Sequence, residues 1–208
     1  AGKVISMHNQ ECAAEDELYK TKSGDFFRLY DFLKIDTAFF QPSGKSSLQT
    51  YLPLLNKAAN ILLIHNTFIT QDDIDFTKLQ SLNFNHATAG EPQMFFCLCA
   101  NANLYIENRM PPVQLLRKNN CNIVLGTDSY SSNWSLSILD EMRTIQSKSA
   151  FTIPLPELLQ WATLNGAKAL QMEKKLGSFE KGKQPGVVLI SNVNDGYLSE
   201  LSVTKRLL

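Results

Sequence analysis

Short apolar runs of strand length alternate along the chain with amphipathic segments of helix length. The apolar runs predict strands over Lys3–Met7, Ile61–Ile64, Met94–Cys99, Asn122–Gly126 and Gly186–Ile190. The amphipathic segments predict helices over Asp25–Leu33, Leu48–Ala59, about Leu136–Gln146 and Pro156–Leu170, with others after the N-cap candidate Thr70 and from Pro111 to about Asn119. This alternation predicts an α/β fold in which helices cover a parallel sheet. Four βα units can form an open doubly wound sheet or half of an eight-stranded barrel, and periodicity alone leaves both open.

Three of these strands run directly into a residue that can bind a metal. His8 follows the first strand, His65 the second and Asp128 the fourth. The carboxyl ends of parallel strands lie together on one face of the sheet, so these side chains are expected to converge on one divalent cation. Glu11, three residues after His8, is a candidate proton carrier. The alternatives are a capping or solvated pair for His8 and Glu11, and a helix cap for Asp128.

Polar loops after the third and fourth strands supply the candidates for substrate binding. Asn103 lies in the first loop, and Ser129 and Asn133 lie in the second, which is rich in hydroxyl and amide groups. The same residues are equally consistent with ordinary turns and with capping of the next helix. His86 lies in a polar loop and is interpreted as a solvated or structural residue.

Composition excludes several classes of partner. Twenty basic residues balance twenty acidic ones, so neither a nucleic acid nor a membrane surface is expected as a partner. No apolar stretch approaches the roughly 20 residues of a membrane span, and no signal peptide is recognisable. The four cysteines are scattered and are interpreted as reduced core thiols, which indicates a cytoplasmic location. The glycine-rich phosphate-binding motifs are absent from the sequence, which argues against a nucleotide cofactor.

Six segments carry a resemblance to a known family. They are residues 6–11 (Ser-Met-His-Asn-Gln-Glu), 63–65 (Leu-Ile-His), 99–103 (Cys-Ala-Asn-Ala-Asn), 125–133 (Leu-Gly-Thr-Asp-Ser-Tyr-Ser-Ser-Asn), 162–170 (Ala-Thr-Leu-Asn-Gly-Ala-Lys-Ala-Leu) and 176–183 (Leu-Gly-Ser-Phe-Glu-Lys-Gly-Lys). In this order the segments resemble the carboxyl-terminal half of the metal-dependent amidohydrolase superfamily. The resemblance is to its group of cytosine, guanine and S-adenosylhomocysteine deaminases and chlorohydrolases. The segment over 125–133 is the most specific match.

The resemblance implies a fold, a metal and a reaction. Residues 1–175 would form the carboxyl-terminal half of a TIM-like (β/α)8 barrel, and residues 176–208 would return to a small β-sandwich through a short terminal strand. His8 and Asp128 would bind one divalent metal, with zinc favoured over iron. Asp128 would also accept a proton from the attacking water, Glu11 would carry that proton and His65 would orient the water. The reaction would cleave a C–N bond in a cyclic amidine, and the small-molecule substrate would be an aminated purine, pyrimidine or triazine.

The sequence departs from the family pattern in ways that bear on activity. The family's other two ligands form a His-x-His pair, which occurs nowhere in the chain, and the matching motifs begin at the fifth barrel strand. The chain is therefore expected to be a fragment that is inactive alone. It would associate with a missing amino-terminal half or with a second copy of itself, as a homo-oligomer. Ala100, Ala102 and the pair Pro185-Gly186 replace usual family residues and leave the substrate open. The alternatives are a degenerate module for interaction or structure, and an independent doubly wound domain that binds a small ligand.

Overall fold

The computed structural model describes residues 3–83 and 93–208, and its centre is a four-stranded parallel sheet. The strands are β1 (Lys3–Asn9), β2 (Ala58–His65), β3 (Gln93–Leu98) and β4 (Asn122–Leu125). They lie in the order β1-β2-β3-β4, and every neighbouring pair is parallel. The α/β fold with a parallel sheet that the hydrophobic pattern predicts is thus confirmed. His86, which the sequence suggests is solvated or structural, lies outside the described residues, as does most of the loop around it.

Helical segments connect the strands and pack on the sheet. They are α1 (Ala13–Thr21), α2 (Asp25–Phe32), α3 (Ser47–Tyr51), α4 (Gln71–Asn83), α5 (Ala100–Glu107), α6 (Val113–Lys118), α7 (Ile138–Lys148), α8 (Leu155–Gln160) and α9 (Gly166–Ala169). A π-helical turn over Trp161–Asn165 joins α8 to α9, where the sequence predicts one helix. Among the described residues, none of the helices combines the length and the apolar character needed to cross a bilayer.

The helix predicted over Leu48–Ala59 is wrong in its second half. The α-helix ends at Tyr51, and a 3-10 turn follows over Leu52–Leu55. Pro53 lies at the start of that turn, where its missing N–H costs no hydrogen bond. Ala58 and Ala59 already belong to β2, because Ala58 pairs with Lys3 of the neighbouring strand.

Three elements are not predicted from the hydrophobic pattern. Helix α1 buries no residue and so lacks an apolar stripe; Glu15 and Asp16 in its first turn complement the helix dipole. Helix α5 contains asparagines, which favour turns, and these are buried and hydrogen-bonded in the structure. The single terminal strand predicted over Gly186–Ile190 is an antiparallel hairpin of β5 (Val188–Asn194) and β6 (Tyr197–Arg206). Its turn is Asp195-Gly196, with positive φ at both residues, a hairpin signal that is present in the sequence.

The sheet has an apolar layer on each face. The larger layer lies between the strands and the helices and includes the fully buried Leu48, Leu52, Ile61, Leu63, Ile74, Leu98, Leu116, Ile123, Ile145 and Leu158. The smaller layer, on the other face, includes Phe95, Cys97, Cys99 and Val124. Burial of both faces is typical of parallel sheets. Cys97 and Cys99 are thus core thiols as predicted. Cys121 is half-buried and packs against the larger layer, whereas Cys12 is half-buried outside both layers, and all four cysteines are free.

The carboxyl-terminal hairpin packs against α7. The Arg143 guanidinium donates to the backbone carbonyls of Ser199 and Ser202 at 2.9 and 2.7 Å. Leu198 is buried in the larger apolar layer, and its N–H donates to the side chain of Gln146 at 2.8 Å. The hairpin therefore shares a core with the parallel sheet.

Candidate metal centre

Left-handed backbone conformations occur at three places along the carboxyl end of the sheet: directly after β1, at the end of β2 and in the segment that follows β4. Gln10 has φ 45°, His65 has φ 75° and Asp128 has φ 57°. Residues other than glycine are destabilised in this conformation, by about 1–3 kcal/mol where the surroundings hold them in a sparsely populated region. Positive φ also occurs at turns and helix ends elsewhere in the described residues, for example at Lys22 and Asn108, and these three residues differ in lying together at the carboxyl end of the sheet.

The chain turns sharply at His65. The Asn66 N–H is shared between the Asn9 carbonyl at 2.9 Å and the Ile64 carbonyl at 3.2 Å, and the second bond closes a three-residue γ-turn at positive φ across His65. The buried Asn66 side chain holds this turn in place: its amide donates to the Leu63 carbonyl at 2.7 Å, and its oxygen accepts from Asn9 at 2.9 Å. The turn directs the His65 ring across the carboxyl end of the sheet.

The three predicted strand-end residues converge. One potential ligand atom from each of His8, His65 and Asp128 lies within 4.8 Å of the other two. The ring centroids of His8 and His65 are 5.3 Å apart. His8 is exposed, Asp128 is half-buried and His65 is completely buried, so the cluster extends from the sheet interior to the solvent.

Close approach between β3 and β4 places Asp128 at this rim. A Cβ atom at Gly126 would lie 2.8 Å from the Cys97 sulfur and 3.2 Å from the Cys99 sulfur, so any larger residue would force these two buried side chains to move. The Gly126 N–H donates to the Leu98 carbonyl at 3.0 Å, which continues the ladder up to the loop that carries Asp128. The Asp128 carboxylate accepts from the Ser132 hydroxyl in the same loop. The helix that follows is capped by Ser137 instead, whose hydroxyl accepts from the Asp140 N–H at 3.2 Å.

His65 has one ring nitrogen in a hydrogen bond and one without. Its Nδ1 lies 2.8 Å from the Oδ1 of Asn103. Its Nε2 is buried, has no hydrogen-bond partner among the residues that the structure describes, and lies 3.5 Å from Glu11 Oε1. Glu11 is partly exposed at the same rim, so the candidate proton carrier faces both the cluster and the solvent.

The candidates for substrate binding occupy different environments. Ser129 is exposed, and its hydroxyl shares hydrogen bonds with those of Ser131 and Ser132 at 2.8 and 2.9 Å. Asn133 is buried, and its amide donates to the Thr127 carbonyl at 2.6 Å. Asn103 is completely buried, with its side chain against His65. Direct substrate contact by these residues stays a prediction.

Sequence reasoning missed Glu141, a completely buried carboxylate that braces the loop of Asp128. Its oxygens accept from the Asn133 side chain at 2.8 Å and from the Asn101 N–H at 3.0 Å. Burial raises its pKa above the usual value for a glutamate, although these hydrogen bonds act in the opposite direction. A signal is present in the sequence: Glu141 occupies the i+3 position in the apolar stripe formed by Ile138, Met142 and Ile145.

Sequence reasoning also missed the role of Asp73, which anchors the end of β1. Burial acts to raise its pKa, but hydrogen bonds from Ser46, Gln10 and Thr70 outweigh burial and lower it. The bond from the Gln10 amide, at 3.1 Å, holds the residue directly before Glu11. A second carboxylate, that of Asp16, lies 3.3 Å from the same amide.

The donor set of the cluster fits a divalent transition metal. Imidazole nitrogens and a carboxylate are ligands of zinc and of iron, with bonds of about 2.0–2.2 Å to zinc. Two atoms on one such ion lie at most about 4.4 Å apart, so separations of up to 4.8 Å need only small side-chain movements. The unpaired, buried Nε2 of His65 beside a carboxylate is also the arrangement that a cation would satisfy.

Comparisons with known proteins show similarities in both sequence and fold. The sequence pattern of the amidohydrolase family matches residues 43–205. A 5-methylthioadenosine/S-adenosylhomocysteine deaminase of Moorella thermoacetica is 32% identical over 136 residues, which cover 62% of this chain and 29% of that protein. The aminofutalosine deaminase of Helicobacter pylori, solved in complex with methylthio-coformycin, is 25% identical with a TM-score of 0.68 over 88% of this chain and 42% of that one.

A third similarity concerns the fold. An adenosine deaminase from Xanthomonas campestris, solved with bound zinc, is 22% identical, with a TM-score of 0.57 over 89% of this chain and 36% of that one. The chain spans less than a third of the length of the curated relatives it matches. The family pattern covers well over half of the chain and includes His65 and Asp128. The chain therefore belongs to the metal-dependent amidohydrolase family.

Proposed function

We propose that this chain is the carboxyl-terminal half of a hydrolytic deaminase that acts on an adenosine-type nucleoside. The observation that carries the proposal is the convergence of His8, His65 and Asp128 at the carboxyl end of a parallel sheet. The similarity to a deaminase of 5-methylthioadenosine and S-adenosylhomocysteine supports the aminopurine nucleoside as substrate, ahead of a pyrimidine or a triazine.

The sheet order supports a half-barrel. The four strands follow their chain order without the reversal that characterises a doubly wound sheet. Within the described residues, β1 and β4 each have one open side. The carboxyl-terminal hairpin, which holds two strands where one is expected from the sequence, is proposed to be part of a small β-sandwich formed with residues outside this chain.

Zinc is proposed as the cofactor, in preference to iron, with His8 and Asp128 as ligands and a His-x-His pair supplied from elsewhere. When bound, such a cation lowers the pKa of water towards about 7 and supplies a nucleophile at neutral pH. His65 is equally well placed to serve as a further ligand or to orient the water, since its Nε2 faces the cluster.

The chain's own residues then move the protons. Asp128 accepts a proton from the attacking water as the water oxygen bonds to the amino-bearing carbon of the purine. Glu11, the partly exposed carboxylate beside His65, takes this proton from Asp128 and gives it to the ring nitrogen. It then takes the proton of the newly added hydroxyl group and gives it to the amino group, so both carboxylates return to their starting states. The C–N bond breaks, ammonia leaves, and a ring carbonyl with a protonated ring nitrogen remains, so that one water is consumed for each ammonia released.

The test is to express the uninterrupted reading frame that encodes this chain, load the product with zinc and measure ammonia release from 5-methylthioadenosine. We expect an upstream strand that ends in His-x-His, and turnover that is lost in Asp128→Ala together with metal retention. Glu11→Gln is expected to retain the metal and lose turnover, which separates proton transfer from metal binding. A metal-loaded product with that strand and no deaminase activity towards aminopurine nucleosides would reject the proposal.

A further inference from the structure

The hydrogen bonds around His65 determine which of its ring nitrogens carries the proton. The Nδ2 of Asn103 lies 3.4 Å from the backbone carbonyl of His65, and the Oδ1 of Asn103 lies 2.8 Å from the Nδ1 of the same residue. The Asn103 side chain therefore spans both the backbone and the ring of His65. Because an amide has one nitrogen and one oxygen, identifying the atom at one end of this bridge also identifies the atom at the other end.

A backbone carbonyl only accepts hydrogen bonds, so the atom that faces it must be the amide nitrogen of Asn103. The other end of the amide is then the oxygen, which only accepts as well. The partner of that oxygen, the Nδ1 of His65, must consequently carry the hydrogen. In a neutral imidazole this leaves the lone pair on Nε2, the atom that faces Glu11 and the metal cluster.

We infer that Asn103 is a positioning residue that holds His65 as its Nδ1–H tautomer, with the Nε2 lone pair directed into the candidate metal centre. Asn103 has no exposed surface, and the role that we infer for it is exerted through His65. Its place on α5 is itself fixed, because its N–H donates to the Cys99 carbonyl at 2.9 Å at the end of β3. The inference rests on the proposed function for its catalytic meaning, but not for the tautomer, which is a property of the protein without metal or substrate.

The consequence for chemistry is the same whether His65 binds the metal or orients the attacking water. The metal binds to the Nε2 lone pair, and the same lone pair is needed to accept a hydrogen bond from the attacking water, so a proton on Nε2 would block both of these interactions. Residues that set the tautomer of a metal-binding histidine commonly contribute 10- to 100-fold to metal affinity or activity. Asn103 thus connects helix α5 to the reacting end of the sheet through a single amide.

The experiment is ¹⁵N NMR of histidine-labelled protein without metal, above the pH at which the imidazoles protonate. The chain has only three histidines, so His8→Gln and His86→Gln variants assign the resonances. We expect the wild-type His65 to show a protonated Nδ1 and an unprotonated Nε2. In Asn103→Leu, the Nε2–H form is expected to become the major tautomer. In Asn103→Asp, which retains an acceptor, Nδ1 is expected to stay protonated.

Asn101→Ala is the matched control on the same helix. Asn101 is buried and accepts a hydrogen bond from Thr144 at 2.6 Å, but it makes none with the His65 side chain. The control is expected to loosen α5 and leave the His65 tautomer unchanged. A wild-type His65 protonated at Nε2, or an Asn103→Leu protein that retains Nδ1–H, would overturn the inference. If Asn103→Leu does not fold, the wild-type spectrum and Asn103→Asp decide the result. If the tautomers are as expected but the metal-loaded wild-type product of the whole reading frame has no deaminase activity, the proposed function alone is rejected.

Discussion

Asn133 donates a hydrogen bond of 2.8 Å to Glu141, a carboxylate with no exposed surface. The same asparagine donates to the Thr127 carbonyl, directly before Asp128, so Glu141 supports the candidate metal ligand through one intermediate residue. Because Asn101 also donates to Glu141, a single buried group joins the loops that follow β3 and β4. The loop that carries Asp128 is thereby fixed to α5 and α7.

The raised pKa of Glu141 predicts a pH-dependent effect of its substitution. Its folded-state pKa lies above the unfolded value, mainly because of burial, so this group's contribution to stability is complete below the unfolded pKa and is lost as pH rises through the folded pKa. We therefore expect the free energy of unfolding of Glu141→Gln, minus that of the wild type, to increase from pH 4 to pH 7. Urea unfolding at each pH measures this difference. A difference that is independent of pH would contradict the prediction.

The lowered pKa of Asp73 predicts the opposite dependence of stability on pH. Its carboxylate accepts hydrogen bonds from the side chains of Ser46, Gln10, Gln49 and Thr70, and its folded-state pKa is lowered. The stability it contributes is present above the unfolded pKa and is lost as pH falls through the folded value. Asp73→Ala leaves the buried side chains of Ser46 and Gln10 without this acceptor, so we expect a loss of about 2–4 kcal/mol at pH 7. Urea unfolding curves measure the loss, which should shrink towards pH 3.

Asp75→Asn is the matched control for Asp73. Asp75 lies on the exposed side of the same helix and accepts from Gln71 at 2.9 Å. An exposed pair of this kind contributes little, so a change below about 0.5 kcal/mol is expected. Equal losses in the two variants would mean that the hydrogen bonds of Asp73 do not stabilise the fold.

Metal binding by this chain alone is expected to be weak but specific. The cluster offers at most three protein ligands, whereas the proposed complete site adds two histidines from elsewhere. Isothermal titration with zinc should give a lower affinity for His8→Gln and for Asp128→Asn than for the wild type, by 10-fold or more. Asp75→Asn should bind as the wild type does. Unchanged affinity in Asp128→Asn would remove Asp128 from the ligand set.

The open sides of β1 and β4 predict self-association. Unpaired N–H and C=O groups along a sheet edge are available to pair with another chain. Sedimentation velocity at increasing protein concentration should therefore show a shift from monomer to dimer or larger species. Ser6→Lys places a charge on the exposed part of β1 and should favour the monomer, whereas the exposed Ser23→Lys, away from the sheet, should not. A monomer at every concentration would contradict the prediction.

Much of the candidate site was predictable because it depends on which residue directly follows each apolar run in the sequence. Apolar runs that end in His8, His65 and Asp128 predict both the parallel strands and the convergence of these residues, and the structure confirms the convergence. The bracing groups were not predictable in the same way, since Asn103 and Glu141 meet their partners across 38 and 40 residues of sequence. Neither residue type indicates such a role by itself, and only the tertiary arrangement brings these two residues to their partners.

The γ-turn at His65 has a consequence for engineering this protein. A residue held at positive φ lowers the stability of the folded chain, and glycine would relieve that cost. Removal of the imidazole, however, would leave a cavity and an unpaired Asn103 side chain inside the fold, and these losses together exceed a strain of about 1–3 kcal/mol. Attempts to make the protein resistant to heat should therefore leave this position unchanged and be directed at exposed turns.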